Sequence, residues 1–345
     1  MRFIRELETT VKRMALALAA VMLTLVMAEV LLRVTGFGAV KPELSFGMNA
    51  SQAFARGQFV QDRRLFWKFA PEVTPTDTYL GAVHPDRDIP PPAGAPRVLF
   101  LGDSCTRLTL DGVAYPARLK SLLKGRVEVL TAAVPGYTSY QGLAWLRSQL
   151  LAARPDVIVV YFGWNDHWRT LGRTDAEHAA SLSPWRLRLA GLLHRPSATA
   201  SLRVPPDQYG ANLSAIAAEA AKAGAQVLFV RAPASISEAA RAQLVRTGYM
   251  RPDDDPMALH AAHLRVLDEV ARTANVPVLD AAGIFPKLPA ARPLLADDGI
   301  HLTGTGHLVM SVIVAQAVLR DMLHLSDDPR SLEEVATAAA LAAAP

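Results

Sequence analysis

Apolar residues fill positions 14–32 almost without a break, with only Thr24 and Glu29 interrupting. A run of this length matches the roughly 20 residues a helix needs to cross a bilayer. Arg2, Arg5, Lys12 and Arg13 precede it, whereas only Arg33 and Lys41 follow closely. The asymmetry predicts a single-pass anchor at residues 14–33, with residues 1–13 in the cytoplasm and the bulk of the chain outside. The rival reading is a cleaved signal peptide with Val26-Met27-Ala28 as its recognition triplet. Apolar residues continuing past Glu29 favour the uncleaved anchor, and Glu29 is then expected near the outer interface with its charge in water. A buried helix of a soluble protein is the third reading; the flanking cations and the length oppose it.

Residues 34–96 lose periodicity, with Pro and Gly punctuation and a Pro-Pro-Pro run at 90–92. This reads as a spacer with a lid or edge element, in which Leu65-Phe66-Trp67-Lys68-Phe69 predicts a short strand. From residue 97 to about 325 short apolar runs alternate with helical patterns. Strands are predicted at 97–101, 127–131, 156–162, 226–231 and 276–280, and helices at 113–123, 140–153, 206–223, 257–274 and 304–323. Residues 168–205 form a partly helical insertion, and 326–345 an Ala-rich tail read as a frayed helix. Such alternation predicts an α/β fold with a parallel sheet covered on both faces. Functional groups in such sheets gather at the carboxyl ends of the strands.

Composition narrows the choice. Hydrophobic residues are 51% of 345, enough for a sizeable core beyond the N-terminal run. Net charge is only +4, and Lys and Arg are scattered, so no basic face for nucleic acid is visible. The mild basicity suits ordinary surface, or a position beside an anionic lipid or glycan surface. The single cysteine, Cys105, excludes an intrachain disulfide and a cysteine-built zinc site. No Walker loop or dinucleotide fingerprint is present, and no metal or organic cofactor is expected.

Four segments carry candidate chemistry. Gly102-Asp103-Ser104 ends the first buried strand, where Gly102 is expected to allow a tight turn and Asp103 to bond loop amides. Asp298-Gly299-Ile300-His301 precedes the last helix. A serine needs a neighbouring base at neutral pH, and histidine has a suitable pKa. The base in turn needs a carboxylate to fix its tautomer, and an Asp three residues earlier can fold back onto the ring. Gly163-Trp164-Asn165-Asp166 follows the most apolar strand, and Val134-Pro135-Gly136-Tyr137 follows another. The Asn165 amide with the N–H groups of Gly136 and Ser104 would make three donors around one point. Each motif alone has a bland reading as a turn or a helix cap; their joint order does not.

Together these segments resemble the signature blocks of the SGNH hydrolases, or GDSL-type lipases and esterases, in a membrane-anchored bacterial form. The resemblance implies a flavodoxin-like three-layer α/β/α domain around about five parallel strands. It also implies a catalytic triad of Ser104, His301 and Asp298 and an oxyanion hole of Ser104, Gly136 and Asn165. The charge asymmetry around the N-terminal run predicts a location at the bacterial inner membrane with the domain on the periplasmic side. One departure is Thr131, where such proteins often carry an asparagine that supports the loop. The absence of a Gly-x-Ser-x-Gly elbow separates the chain from the α/β-hydrolase fold.

Trp164 and His167 are candidate substrate contacts. Asp166 is read as a loop brace, His307 as a structural hydrogen-bonder and Cys105 as core-facing. His260 and His263 have metal-ligand spacing but no further ligands nearby, and are read as surface residues. The expected activity is acyl transfer from an ester of an envelope glycan, a lipid or a small molecule to water. Transfer to an envelope polysaccharide, and a catalytically silent glycan-binding module, are the alternatives.

Overall fold

The computed structural model describes residues 2–40, 57–70, 83–89, 91–92, 94–109, 112–123, 125–170, 172–193, 201–289 and 291–343. Expectations for the rest of the 34–96 spacer and the insertion therefore lie partly outside the described residues. The strands in chain order are β1 (Phe59–Asp62), β2 (Phe66–Phe69), β3 (Arg97–Gly102), β4 (Glu128–Ala133), β5 (Val157–Tyr161), β6 (Arg169–Thr170), β7 (Ser201–Leu202), β8 (Gln226–Val230) and β9 (Val278–Leu279).

Five of them form one parallel sheet in the order β4-β3-β5-β8-β9. Numbered along the sheet's own strands this is 2-1-3-4-5, the flavodoxin-like order. Side-chain alternation explains the three layers, because successive residues of a strand face opposite sides. Val98, Phe100, Val157 and Val159 pack with the helices Tyr115–Leu123, Gly304–Gln316 and Leu332–Ala342. Leu99, Leu101, Ile158 and Val160 pack with Ser139–Ser148, Pro206–Lys222 and Pro256–Ala274. Every residue of β3 and β5 is buried, as the apolar runs require.

Three elements differ from expectation. The expected 140–153 helix ends at Ser148, where Gln149 leaves helical geometry and a 3-10 turn follows at Leu150–Ala153. The tail is not frayed: Leu332–Ala342 is a helix whose Ser331 and Glu334 form a capping box. Its Val335, Ala336, Ala339 and Ala340 are buried in the core shared with Gly304–Gln316. The strand expected within 65–69 is half of an antiparallel hairpin, β1 with β2. That hairpin docks on the domain through Tyr137 Oη to Trp67 O (2.6 Å) and Gln141 Nε2 to Leu65 O (2.7 Å).

The N-terminal helix spans Arg2–Thr35, and its Arg5–Thr35 portion is long and apolar enough to cross a membrane by length and composition. Its Leu16, Leu18 and Leu23 are exposed. Glu29, expected near the outer interface, accepts hydrogen bonds from Arg33 Nε and from the amides of Arg188 and Leu189.

Candidate active site

Register places the first three segments side by side. Gly102, the last residue of β3, pairs with Ala133 at the end of β4 and with Tyr161 at the end of β5. The chain therefore leaves the sheet at one level at three adjacent points, and Ser104, Gly136 and Asn165 follow those exits. Between β4 and β5 the chain crosses back over β3, so these ends form the switch-point crevice of the sheet.

Ser104 opens the short helix Ser104–Arg107, and Asp103 Oδ1 caps it by accepting from the Cys105 amide at 2.8 Å. Gly102 belongs to the strand and makes no turn. A Cβ there would lie 2.2 Å from Thr106 Oγ1 and 3.0 Å from the Tyr161 carbonyl, so its smallness lets helix and strand close together. His301 Nε2 stands 2.9 Å from Ser104 Oγ, and His301 Nδ1 stands 2.6 Å from Asp298 Oδ2. The loop bearing this pair is pinned at Gly299. Its φ is +70°, and a Cβ would fall 2.1 Å from the Ser235 carbonyl, while the Ser235 amide donates to Gly299 O at 2.9 Å.

Asp298 is held near a pKa of about 2. Partial burial pushes it upward, but the His301 ring and the amides of His301 and Ile300 together outweigh that and favour the carboxylate. Asp103 is the reverse case. It is fully buried, and desolvation raises it to about 7 despite bonds from the Cys105 amide and from Asn165 Nδ2 (2.8 Å). Asp166 is raised to about 6 for the same reason, although it accepts from the Ser139 amide at 3.0 Å. Its role as a brace of the Ser139–Ser148 helix start matches its expected one.

Among the described residues, the amides of Ser104 and Gly136 have no acceptor within the protein. One hydrogen of the Asn165 amide goes to Asp103, and an amide nitrogen carries a second. Three N–H donors thus border one crevice without an acceptor of the protein's own among the described residues. The Gly136 carbonyl is held from behind by Arg203 Nη1 at 2.6 Å. Arg203 is fully buried and also bonds Asp175 through two contacts and Gln141 Oε1 at 2.8 Å. The Thr131 hydroxyl is buried without a partner among the described residues.

A cleft of about 420 Å³ opens over Ser104. Its wall is largely apolar: Phe59 and Trp67 from the hairpin, Trp164 and Trp168 after β5, and Leu244 and Tyr249. Trp164 borders the cleft. His167 does not. It is wholly buried, packed 4.8 Å from Trp168 and 5.0 Å from Trp164 between ring centroids, and burial holds it neutral. His260 and His263 are also buried, against the expectation of surface residues, and their Nε2 atoms meet the carbonyls of Ala232 and Val204. Cys105 is buried, and desolvation pushes its thiol well above the ordinary value. His307 bonds Leu108 O and the Tyr115 amide.

Sequence reasoning missed Arg203, Asp175 and the cleft wall from residues 243–249. A buried arginine leaves no periodic trace, since charged residues in an irregular segment normally read as solvated.

The five-stranded parallel sheet with helices on both faces defines the class: a three-layer α/β domain. Residues 100–309 match the model of the GDSL-like lipase/acylhydrolase family, and the chain belongs to that family. Membership makes it a carboxylic-ester hydrolase. No curated protein matches the chain. Among solved structures it is similar to a lipase/acylhydrolase from Enterococcus faecalis, at 18% identity and a TM-score of 0.46, covering 68% of this chain and 99% of that one. It is also similar to a GDSL-like lipase from Bacteroides thetaiotaomicron, at 18% identity and a TM-score of 0.43, covering 65% of this chain and 88% of that one.

Proposed function

We propose that the chain is a serine esterase, anchored at the bacterial inner membrane by residues 14–33 with residues 97–325 as a periplasmic catalytic domain. Ser104 is the nucleophile, His301 its base and Asp298 the carboxylate that orients the base. The observation carrying this reading is the continuous line from Asp298 Oδ2 through His301 to Ser104 Oγ, at 2.6 and 2.9 Å. His301 takes the proton of Ser104 as Oγ attacks the ester carbonyl. The resulting oxyanion rests on the Ser104 and Gly136 amides and the Asn165 side chain, donors already in place before the charge develops. His301 then returns the proton to the departing alkoxide, and water attacks the acyl-enzyme by the same route in reverse.

The apolar wall of Phe59, Trp67, Trp164 and Trp168 supports an ester with an acyl or other apolar portion, borne by a lipid, an acylated glycan or a small molecule. The full chain should turn over a short-chain aryl ester, and Ser104→Ala should lower kcat by roughly 10⁶-fold. A fluorophosphonate should label the wild type at Ser104 and leave the variant unlabelled. Undiminished turnover in Ser104→Ala would falsify the assignment.

A further inference from the structure

A second cavity among the described residues lies away from the cleft, at the foot of the N-terminal helix, and its chemistry is different. Its volume is about 480 Å³, and its wall includes Arg33, Arg63, Arg173, Arg186 and Arg188 with no acidic residue among them. The segment after Ser183 is tied to the helix end from both sides. Arg33 donates to the carbonyls of Pro184 (2.9 Å) and Arg186 (3.1 Å), and Arg188 donates to the carbonyl of Leu32 (2.6 Å). Glu29 seals the junction by accepting from the Arg188 and Leu189 amides, and its charge is matched by Arg33 at 2.6 Å. The arginines that remain are in excess. Among the described residues, the guanidinium groups of Arg173 and Arg186 have no acidic partner.

The same segment presents apolar side chains to the outside. Trp185 is 90% exposed, and Leu187 and Leu192 are exposed beside it. An indole so placed next to the end of an apolar 31-residue helix is at the level where aromatic side chains meet lipid headgroups. Arginine matches a phosphate with paired N–H donors and remains charged at any working pH.

We infer that this arginine-walled cavity binds the phosphate headgroup of an anionic phospholipid at the outer end of the anchor, with Trp185 seated in the interface beside it. The inference rests on the membrane-anchor reading above. It also orients the cleft. Arg63, at the hairpin turn, borders this cavity, while Phe59 at the start of β1 borders the catalytic cleft. Four residues of strand are roughly 13 Å, so a bound headgroup would hold the cleft close to the bilayer surface, where lipid-borne esters are found.

The test uses the full chain. Flotation with dioleoyl phosphatidylcholine vesicles through an alkaline wash first reads anchoring alone. Native mass spectrometry of the chain from detergent micelles, offered equal amounts of dioleoyl phosphatidylglycerol and dioleoyl phosphatidylcholine, then reads the headgroup. Wild type should retain the anionic lipid about tenfold or more over the zwitterionic one. Arg173→Gln combined with Arg186→Gln should bring the two to near parity, and the corresponding double lysine variant should keep most of the preference. Aryl-ester turnover should be unchanged in both variants, which reports an intact fold. Equal retention of the two lipids by a chain that floats would overturn the inference and leave the anchor standing. Retention of soluble glycerol phosphate as strong as that of the lipid would overturn the lipid assignment. A wild-type chain left in the aqueous fraction would remove the anchor reading and this inference with it.

Discussion

The loop that carries Asp298 and His301 and the polar layer beneath the strand ends, Asp103, Asp166 and His167, use the same two residue types. They place them in different surroundings. Asp298 is partly exposed and surrounded by donors, so it stays ionised down to about pH 2. Asp103 and Asp166 are sealed from water, and burial carries them to about 7 and about 6. His301 reaches the cleft with one nitrogen on a hydroxyl and the other on a carboxylate. His167 reaches nothing but rings, and burial keeps it neutral. Access to water and the number of donors, not residue identity, set where these aspartates titrate.

The sharpest break of the comparison is Asp298→Asn. The ring loses the partner that fixes its tautomer, and kcat on an aryl ester should fall by roughly 10⁴-fold, far more than the loss of at most about 2 kcal/mol of stability that the lowered carboxylate pKa implies. The sign of the pH effect is fixed by the lowered pKa: the carboxylate is present above about pH 4 and is lost only as pH falls through about 2. The loss in Asp298→Asn should therefore be uniform across the neutral and mildly acid range, and any acid limb of the wild-type profile belongs to another group. A residual kcat within tenfold of wild type would dissolve the distinction between the two regions.

Next in size is the brace behind Gly136. Arg203→Met leaves Asp175 buried without its cation, which costs about 3–5 kcal/mol in comparable buried pairs. Urea unfolding should show that loss, and kcat should drop with it because the Gly136 carbonyl is released. Adding Asp175→Leu should recover much of the stability but not the kcat. Recovery of both would mean that Arg203 serves folding alone.

How legible each region was follows from what its residues leave in the pattern. The five sheet strands announce themselves as apolar runs, because a parallel strand is buried on both faces, and β3 and β5 show it residue by residue. Ser104, Gly136, Asn165, Asp298 and His301 could be named because each sits in a short segment just after a strand or before the last helix. Arg203, Asp175 and Trp67 could not, since their partners are 28 to 136 residues away (203 − 175 and 203 − 67) and no local period encodes the contact. The packed tail was misread because alanine is apolar but small. Val335, Ala336, Ala339 and Ala340 mark one helical face only once a neighbouring helix is known to lie against it.

Asp103→Asn tests the buried half of the comparison. A folded-state pKa raised from 3.8 to about 7 means that the native state favours the protonated form. The associated stability is fully present below about pH 4 and is lost as pH rises through about 7, an effect on the order of a few kcal/mol for a sealed carboxyl. Asparagine keeps an acceptor for the Cys105 amide but cannot ionise. The readout is the slope of Tm against pH, which the variant should flatten across that window whatever its absolute Tm. An unchanged slope would place the titrating group elsewhere.

The smallest effect separates a substrate contact from core packing at His167. Neither ring nitrogen has a hydrogen-bond partner among the described residues, and the ring is surrounded by Trp164, Trp168 and His263. Phenylalanine has a similar shape and no polar atoms to desolvate, so His167→Phe should change stability by no more than about 1 kcal/mol. Because the ring does not border the cleft, kcat/KM on the aryl ester should stay within about twofold, against roughly 10⁴-fold for the loop carboxylate. A selective rise in KM of about tenfold would show that His167 touches the ester after all.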